Sequence, residues 1–185
     1  MIAGFTTFIG LQCDILCDGI INMGKDRENE LRVEEFIEHH KLILRFASTA
    51  GKVFSEIYFL HFISSTSTLC MTLFLLTLVD VNTSEFYYLV VYQSSVFSLL
   101  LVPCWFSSEM QRKSENLPNA IYSSPWIDAS ISLKKDIAYF ICKTQEPIKF
   151  KALGVFLISV DTFMAVVRSS FSYYAVLNNL NVKGE

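Results

Sequence analysis

The sequence contains few of the residues that separate or connect soluble domains. Its 185 residues include 4 Pro and 7 Gly, and it has no low-complexity segment. It also has no internal repeat in the range of about 20–50 residues that is typical of solenoids and propellers. Proline- and glycine-rich stretches usually mark linkers between domains. These absences argue against linkers, a repeat architecture and a chain of several soluble domains.

Signatures of enzymes and of metal sites are also lacking. The sequence has no GxSxG, HExxH, P-loop or GxGxxG motif, and its five cysteines form no CxxC pair. His39 and His40 are adjacent, so on a helix they point about 100° apart, and no carboxylate or cysteine completes a ligand set. We expect no catalytic residue, no metal site, no cofactor and no disulfide framework.

Charge is missing from two long stretches, and this absence determines the class of protein. Residues 57–79 and 86–108 each run for 23 positions without Asp, Glu, Lys or Arg. Either stretch would measure roughly 34 Å as a helix, about the thickness of the hydrocarbon core of a bilayer. Because 52% of the chain is hydrophobic, the sequence predicts an all-α integral membrane protein.

The positions of the basic residues predict the sidedness. Thirteen of the 15 Lys and Arg fall in residues 24–56 and 109–151, whereas the connector of residues 80–85 has none and carries Asp80 and Glu85. Lys and Arg accumulate on the cytoplasmic side of a membrane. Both basic blocks are therefore expected in the cytoplasm and the connector outside. The same mixed-charge blocks contain no basic stripe, so nucleic-acid binding has no support.

These patterns predict four transmembrane helices with cytoplasmic helical extensions. Segment 1–22 is a transmembrane helix whose start is expected to be truncated, because Met1 stands inside it. Residues 25–80 form a cytoplasmic helix that continues into a transmembrane helix, and residues 86–108 return. Residues 109–151 form a cytoplasmic loop and anchor helix: the connection is irregular or partly ordered over 109–126 because of Pro118 and Pro125, and the helix covers 130–143 and ends by Pro147. Residues 152–181 cross again and leave the C-terminus extracellular.

Two sets of residues within the membrane segments are candidates for function. Tyr88, Tyr92 and Gln93 lie in the outer half of segment 86–108, where aromatic and polar groups suit a small-ligand pocket. An interfacial aromatic belt is the favoured explanation for Tyr88, whereas Tyr92 and Gln93 lie deeper. On the last segment, one face carries Val176, Asn179 and Leu180 at i, i+3, i+4 spacing. These three residues suit either a narrow constriction or ordinary helix packing.

A series of short motifs resembles the insect odorant receptor family, whose members have seven helices. The motifs lie mainly in the second half of the chain: Ser114-Glu115, Ala120-Ile121-Tyr122, Trp126, Lys134-Lys135, Gln145-Glu146-Pro147, Phe163 and Ser169-Ser170-Phe171-Ser172-Tyr173, with His39-His40-Lys41-Leu42-Ile43-Leu44 and Cys104 as further landmarks. The resemblance covers the whole chain but only the C-terminal half of a family member. The four predicted segments correspond to the fourth to seventh helices.

The resemblance implies an olfactory receptor that is a ligand-gated cation channel in the cell membrane of sensory neurons. It further implies that an odorant-binding subunit assembles with a shared co-receptor into a heterotetramer, and that a small volatile odorant binds among the outer halves of several helices. Carried over by position, Val176, Asn179 and Leu180 would line or gate the pore. Tyr88, Tyr92 and Gln93 are ligand-binding candidates by depth, and the cytoplasmic helices would form an anchor between subunits.

Two alternatives stay open from the sequence. One is a non-channel helical membrane protein, either a scaffold or an accessory subunit. The other is a related gustatory receptor, although the aromatic–threonine-rich ending usual in that family is lacking. One local departure from the odorant receptor pattern is that Trp105 follows Cys104 where a glycine is usual.

Overall fold

The computed structural model describes residues 2–22, 29–124, 126 and 130–182, and for residues 2, 29–32 and 176–182 it describes the backbone alone. Within these residues the chain is mostly helical. Its elements, in order, are α1 (Ile2–Asn22), α2 (Asn29–Leu78), α3 (Ser84–Glu115), α4 (Leu117–Ser123), α5 (Ile131–Thr144), β1 (Lys151–Ala152), β2 (Phe156–Leu157) and α6 (Val160–Val182). The chain divides into two compact units.

Helix α2 is continuous over 50 residues, as the absence of a breaker between the charged block and residue 57 predicts. At 1.5 Å per residue it is roughly 75 Å long, more than twice the thickness of a hydrocarbon core. Three helical stretches in the described part of the chain are long and apolar enough to cross a membrane: Ala3–Asn22, Val33–Leu78 and Ser84–Ser123. The last of these covers α3 and α4. Helix α6 is not among these three.

The first unit comprises Met1–Val53 and Phe106–Phe150. Its core forms because α1 has a buried face at helical spacing, which packs against α4, and α4 in turn packs against α5. The buried residues of α1, α4 and α5 include Ile9, Cys13, Leu16, Ile20, Leu117, Ile121, Leu133, Ile137 and Phe140. Beyond α5, the backbone N–H of Ile148 donates to Ser114 Oγ at 3.1 Å and fixes the next segment against the end of α3.

Within this unit, α1 lies beside the charged part of α2. Gly19 of α1 faces the ring of Phe36, His39 Nε2 is 2.9 Å from Gln12 Oε1, and the ring centroids of Phe5 and Phe46 are 5.7 Å apart. These α2 residues precede the charge-free stretch that begins at residue 57 and are interspersed with Glu and Lys.

The second unit comprises Phe54–Trp105 and Lys151–Glu185. The apolar parts of α2 and α3 bury Leu69 and Leu100 completely, and Phe97 of α3 meets Phe163 of α6 edge-on, with ring centroids 6.2 Å apart. Many large apolar side chains of this unit are exposed, including Leu60, Met71, Val91 and Leu99. Such outward-facing apolar side chains are expected of helices whose solvent is lipid.

A short antiparallel hairpin precedes α6, with Lys151 paired to Leu157 and Ala152 to Phe156. Its turn places Leu153 and Gly154 in the left-handed region, with φ of 48° and 70°. Glycine adopts this conformation without strain, whereas leucine does so at a cost. The 2.6 Å hydrogen bond from the Leu153 N–H to Ser55 Oγ holds the turn against α2.

Two sequence predictions about the second half of the chain are wrong. The connection expected to be irregular or partly ordered is helical as far as Ser123: α3 continues past Pro103 to Glu115, and α4 follows with Pro118 in its first turn, where a missing N–H breaks no helical bond. The helix predicted over residues 130–143 differs little from α5, which spans Ile131–Thr144. The last helix begins at Val160 rather than at residue 152, because the hairpin occupies the intervening residues.

Candidate ligand and pore residues

The predicted ligand residues on α3 point in different directions. The side chains of Tyr88 and Tyr92 are 70% and 41% exposed, and their rings lie nearly parallel with centroids 6.5 Å apart. Residues four apart lie on one face of a helix, so the two tyrosines form a single aromatic surface. Gln93 is buried on another face.

The Gln93 amide is paired inside the helix bundle. Its Oε1 accepts a hydrogen bond from the hydroxyl of Thr72 on α2, and Thr72 Oγ1 is also 2.6 Å from the carbonyl oxygen of Thr68. Among the buried side-chain atoms of the described residues, Gln93 Nε2 has no hydrogen-bond partner. The hydrogen bond to Thr72 makes Gln93 a link between α2 and α3. Because its side chain is buried, Gln93 is not part of the surface formed by the two tyrosines.

The predicted gate residues Val176, Asn179 and Leu180 belong to α6, but their side chains lie outside the described residues. Their spacing still places them on one face of the helix. The part of α6 with described side chains carries a buried Ser170, whose hydroxyl donates to the carbonyl oxygen of Val166 at 2.9 Å. A serine bonded in this way is satisfied by its own helix and leaves space for close helix packing.

The two adjacent histidines have separate structural roles. The ring of His40 is 4% exposed and packs edge-on against Phe140 of α5 at a centroid distance of 5.6 Å. Burial, with a smaller contribution from the neighbouring His39, lowers the pKa of His40 to about 4. His40 lies in the charged part of α2, outside the segment that we treat as membrane-spanning. His40 thus has a packing role, and His39 pairs with Gln12. Among the described residues no group of His, Cys, Asp or Glu could hold a metal ion.

A cavity of about 350 Å³ lies in the first unit between α1 and α2. Its polar side is the hydrogen bond between Gln12 and His39, and its apolar side is aromatic, since Phe8 and Phe46 meet edge-on with centroids 5.6 Å apart.

A second cavity, of about 390 Å³, lies within the second unit and was not anticipated from the sequence. It is enclosed by α2, the hairpin and α6, and its lining residues are Phe59, Phe62, Ile63, Thr66, Ser67, Ala152, Phe156, Thr162, Ala165, Val166 and Ser169. The spacing of small residues at 162, 165, 166 and 169 of α6 follows one helical face. That spacing was the available signal, but it points to the cavity only once the hairpin is known.

Comparison with known proteins gives a consistent assignment. Residues 1–171 match the family model described as 7tm Odorant receptor. Odorant receptor 10 of Aedes albopictus is 27% identical over 183 residues, covering 95% of this chain and 48% of that protein. Odorant receptor 33c of Drosophila melanogaster is 32% identical over 153 residues, covering 80% of this chain and 39% of that protein. The chain thus spans less than half the length of these relatives.

Solved structures share the fold. The olfactory receptor OR5 of Machilis hrabei in complex with eugenol superposes with a TM-score of 0.85 at 19% sequence identity. The match covers 95% of this chain and 45% of that receptor. A second structure of the same receptor gives a TM-score of 0.80 at 20% sequence identity.

Proposed function

Because this chain belongs to the seven-transmembrane odorant receptor family, we propose that it forms part of an odorant-binding subunit of a heteromeric, ligand-gated cation channel in sensory neurons. The observation that carries the proposal is the family match over residues 1–171, which includes nearly the whole chain. The match favours a receptor over an enzyme, and it does not favour a non-channel scaffold or a gustatory receptor.

We propose three membrane crossings, by the apolar parts of α2 and α3 and by α6, instead of the four that the sequence predicts. Helix α1 contacts Phe36, His39 and Phe46 of α2, so placing α1 in the bilayer would also bury the neighbouring Glu38, Lys41 and Arg45. Charges at membrane depth are costly unless they are paired or face water. The predicted sidedness of the basic segments and of the C-terminus is unchanged: the basic segments are intracellular and the C-terminus is extracellular. Helix α1, predicted to cross the membrane, is now placed on the intracellular side.

The ligand of the complete receptor is proposed to be a small volatile odorant that contacts the surface formed by Tyr88 and Tyr92. Both tyrosines are exposed in this chain and lie near the outer end of α3 in the proposed topology. The M. hrabei receptor whose structure matches was determined with eugenol, an aromatic molecule whose size is compatible with such a surface. Gln93 is proposed to support the pocket from within the α2–α3 pair.

Conduction is proposed to follow α6. Four equivalent helices in a heterotetramer with a co-receptor would bring Val176, Asn179 and Leu180 together around the ion path. The first unit, with the charged part of α2 and with α5, is proposed to anchor subunits to one another in the cytoplasm. Ligand binding among the outer helix ends would then move α6 outward and open the ring.

The test is a chimera in which residues 1–185 replace the matching C-terminal part of Odorant receptor 10 of A. albopictus, co-expressed with an odorant receptor co-receptor. We expect odorant-evoked cation current. Val176→Ser and Leu180→Ser should raise the basal current or alter ion selectivity, because a polar side chain hydrates a narrow apolar constriction. A chimera that reaches the cell surface with the co-receptor yet carries no current would reject the channel proposal.

A further inference from the structure

The cavity enclosed by α2, the hairpin and α6 has the features of a binding groove for hydrocarbon. Its volume of about 390 Å³ lies in the lower part of the range of roughly 300–1,000 Å³ that is usual for small-molecule sites. Phe59 and Phe156 form one wall, with stacked rings 6.3 Å apart and 23° from parallel. Ile63 and Phe156 are each about half exposed, so the groove is open along one side.

The groove offers little to a polar ligand. The hydroxyl of Thr66 donates to the carbonyl oxygen of Phe62 at 2.7 Å. The hydroxyl of Thr162 donates to the carbonyl oxygen of Leu157 at 2.5 Å. These donors are already used. Ser67 and Ser169 supply the remaining lining hydroxyls, and none of the lining side chains is charged. A polar or charged molecule would lose its hydration here without replacement.

The position of the groove along its helices places it inside the inner leaflet. Its α2 residues run from Phe59 to Ser67, which is about 5 to 17 Å beyond Glu56, the last charged residue before the apolar stretch. Its α6 residues start at Thr162, directly after Asp161. In the proposed topology the groove therefore lies at the depth of the bilayer hydrocarbon, where water is absent and acyl chains are available to its open side.

We infer that this groove holds the acyl chain of a membrane phospholipid from the cytoplasmic leaflet. An empty apolar groove would leave the atoms of its walls without dispersion contacts, and the neighbouring acyl chains can supply those contacts. Such a chain would contact α2, the hairpin and α6 together, so it would brace the start of α6 against α2. This inference depends on the membrane crossings of α2 and α6 and does not depend on channel activity.

The test uses the 185-residue chain in phosphatidylcholine nanodiscs that contain a phosphatidylcholine analogue with a diazirine in one acyl chain. After irradiation, the labelled residues are mapped by mass spectrometry. We expect label concentrated on Phe59, Ile63 and Phe156. Ser67→Phe should reduce groove labelling by about tenfold or more, because a phenyl ring fills space that a close-packed chain needs.

The matched control is Ser64→Phe, because Ser64 lies about one helical turn from Ser67 on α2 and is outside the groove lining. This variant should leave the labelling of the groove residues unchanged. Ala165→Trp blocks the groove from α6 and gives a second reading if Ser67→Phe fails to fold, with folding followed by circular dichroism and gel filtration. Uniform labelling of all exposed apolar residues, unaffected by either blocking variant, would overturn the inference.

Two further outcomes would also overturn it by identifying another occupant. Displacement of the label by excess eugenol, with no displacement by unlabelled phosphatidylcholine, would assign the groove to a free small molecule. Absence of groove labelling in the unmodified chain, together with a smaller oligomer on Ser67→Phe, would show that another protein segment covers it.

Discussion

Lys113 of α3 reaches Asp14 of α1 by passing over Gly10, and its Nζ lies 2.6 Å from Asp14 Oδ2. A Cβ at position 10 would be 3.1 Å from Lys113 Cδ, so the glycine leaves room for the aliphatic stem of the lysine. The side chain of Lys113 is 22% exposed and that of Asp14 is 45% exposed. Within the first unit, a partly buried ion pair thus joins α1 to α3 through two residues that are 99 positions apart in the sequence.

This ion pair is expected to contribute about 1 kcal/mol to stability, near the upper end for pairs with solvent access. A double-mutant cycle with Asp14→Asn and Lys113→Met, followed by the free energy of unfolding in detergent, measures it. The exposed pair of Arg112 with Glu109 on the same helix is the control and should show a smaller coupling. Additive effects of the two substitutions at Asp14 and Lys113 would contradict the expectation.

Replacing either of two helical glycines by alanine should change the free energy of unfolding by different amounts. Gly51→Ala is expected to raise the free energy of unfolding by up to about 1 kcal/mol, because alanine has the higher helix propensity and the new Cβ would be 3.4 Å from Phe150 Cδ1, an ordinary contact. Gly19→Ala gains the same propensity, but its Cβ would lie 2.9 Å from Phe36 Cε1. Unfolding measurements should rank Gly51→Ala above Gly19→Ala; equal stabilisation would show that Phe36 moves freely.

His40 should make stability depend on pH. Its pKa falls from 6.5 to about 4 on folding because the ring is buried, so the unfolded chain binds more protons between these values. The stabilising preference for the neutral ring is complete above pH 6.5 and is lost as the pH falls toward 4. We expect a loss of roughly 1–2 kcal/mol between pH 7 and pH 5 from this group.

Substituting His40→Leu tests this pH dependence, since leucine keeps an apolar contact with Phe140 and has no proton to bind. Thermal unfolding of both proteins from pH 5 to pH 8 should show a shallower loss for the variant below pH 6.5 and parallel curves above pH 7. If stability changed with pH equally in both proteins over the whole range, the folded chain would take up a proton on His40 as readily as the unfolded chain does.

The exposed tyrosines and the buried glutamine should differ in their effect on ligand response. In the chimeric receptor, Tyr88→Ala and Tyr92→Ala are each expected to raise the half-maximal odorant concentration about tenfold, which corresponds to about 1.4 kcal/mol of lost contact. Gln93→Leu should shift that concentration by less than either tyrosine substitution, because its amide faces Thr72 and supports the pocket only indirectly. Surface labelling must show equal receptor levels. A large shift for Gln93→Leu alone would place the ligand between α2 and α3.

Local chemistry was sufficient to predict several elements. The charged block and residues 57–79 contain no proline between them, and Gly51 is the single glycine within α2, so the sequence predicts one helix; α2 is continuous. The helix expected from residue 130 begins one residue later, at Ile131, and Ser130 caps it: Ser130 Oγ accepts from the Leu133 N–H at 3.3 Å. Prolines misled the prediction for residues 109–126, because Pro118 falls in a first turn, where proline is compatible with a helix.

Periodicity and charge act residue by residue, so the order of amino acids is enough to predict a helical membrane chain and the side on which its basic segments are expected. Which residues meet is known only from the folded chain. The tertiary structure placed α1 beside the charged part of α2, aimed Gln93 at Thr72 and away from the tyrosines, and folded residues 151–157 into a hairpin that closes a groove with α6. Contacts between residues distant in the chain depend on packing, and no local pattern encodes them.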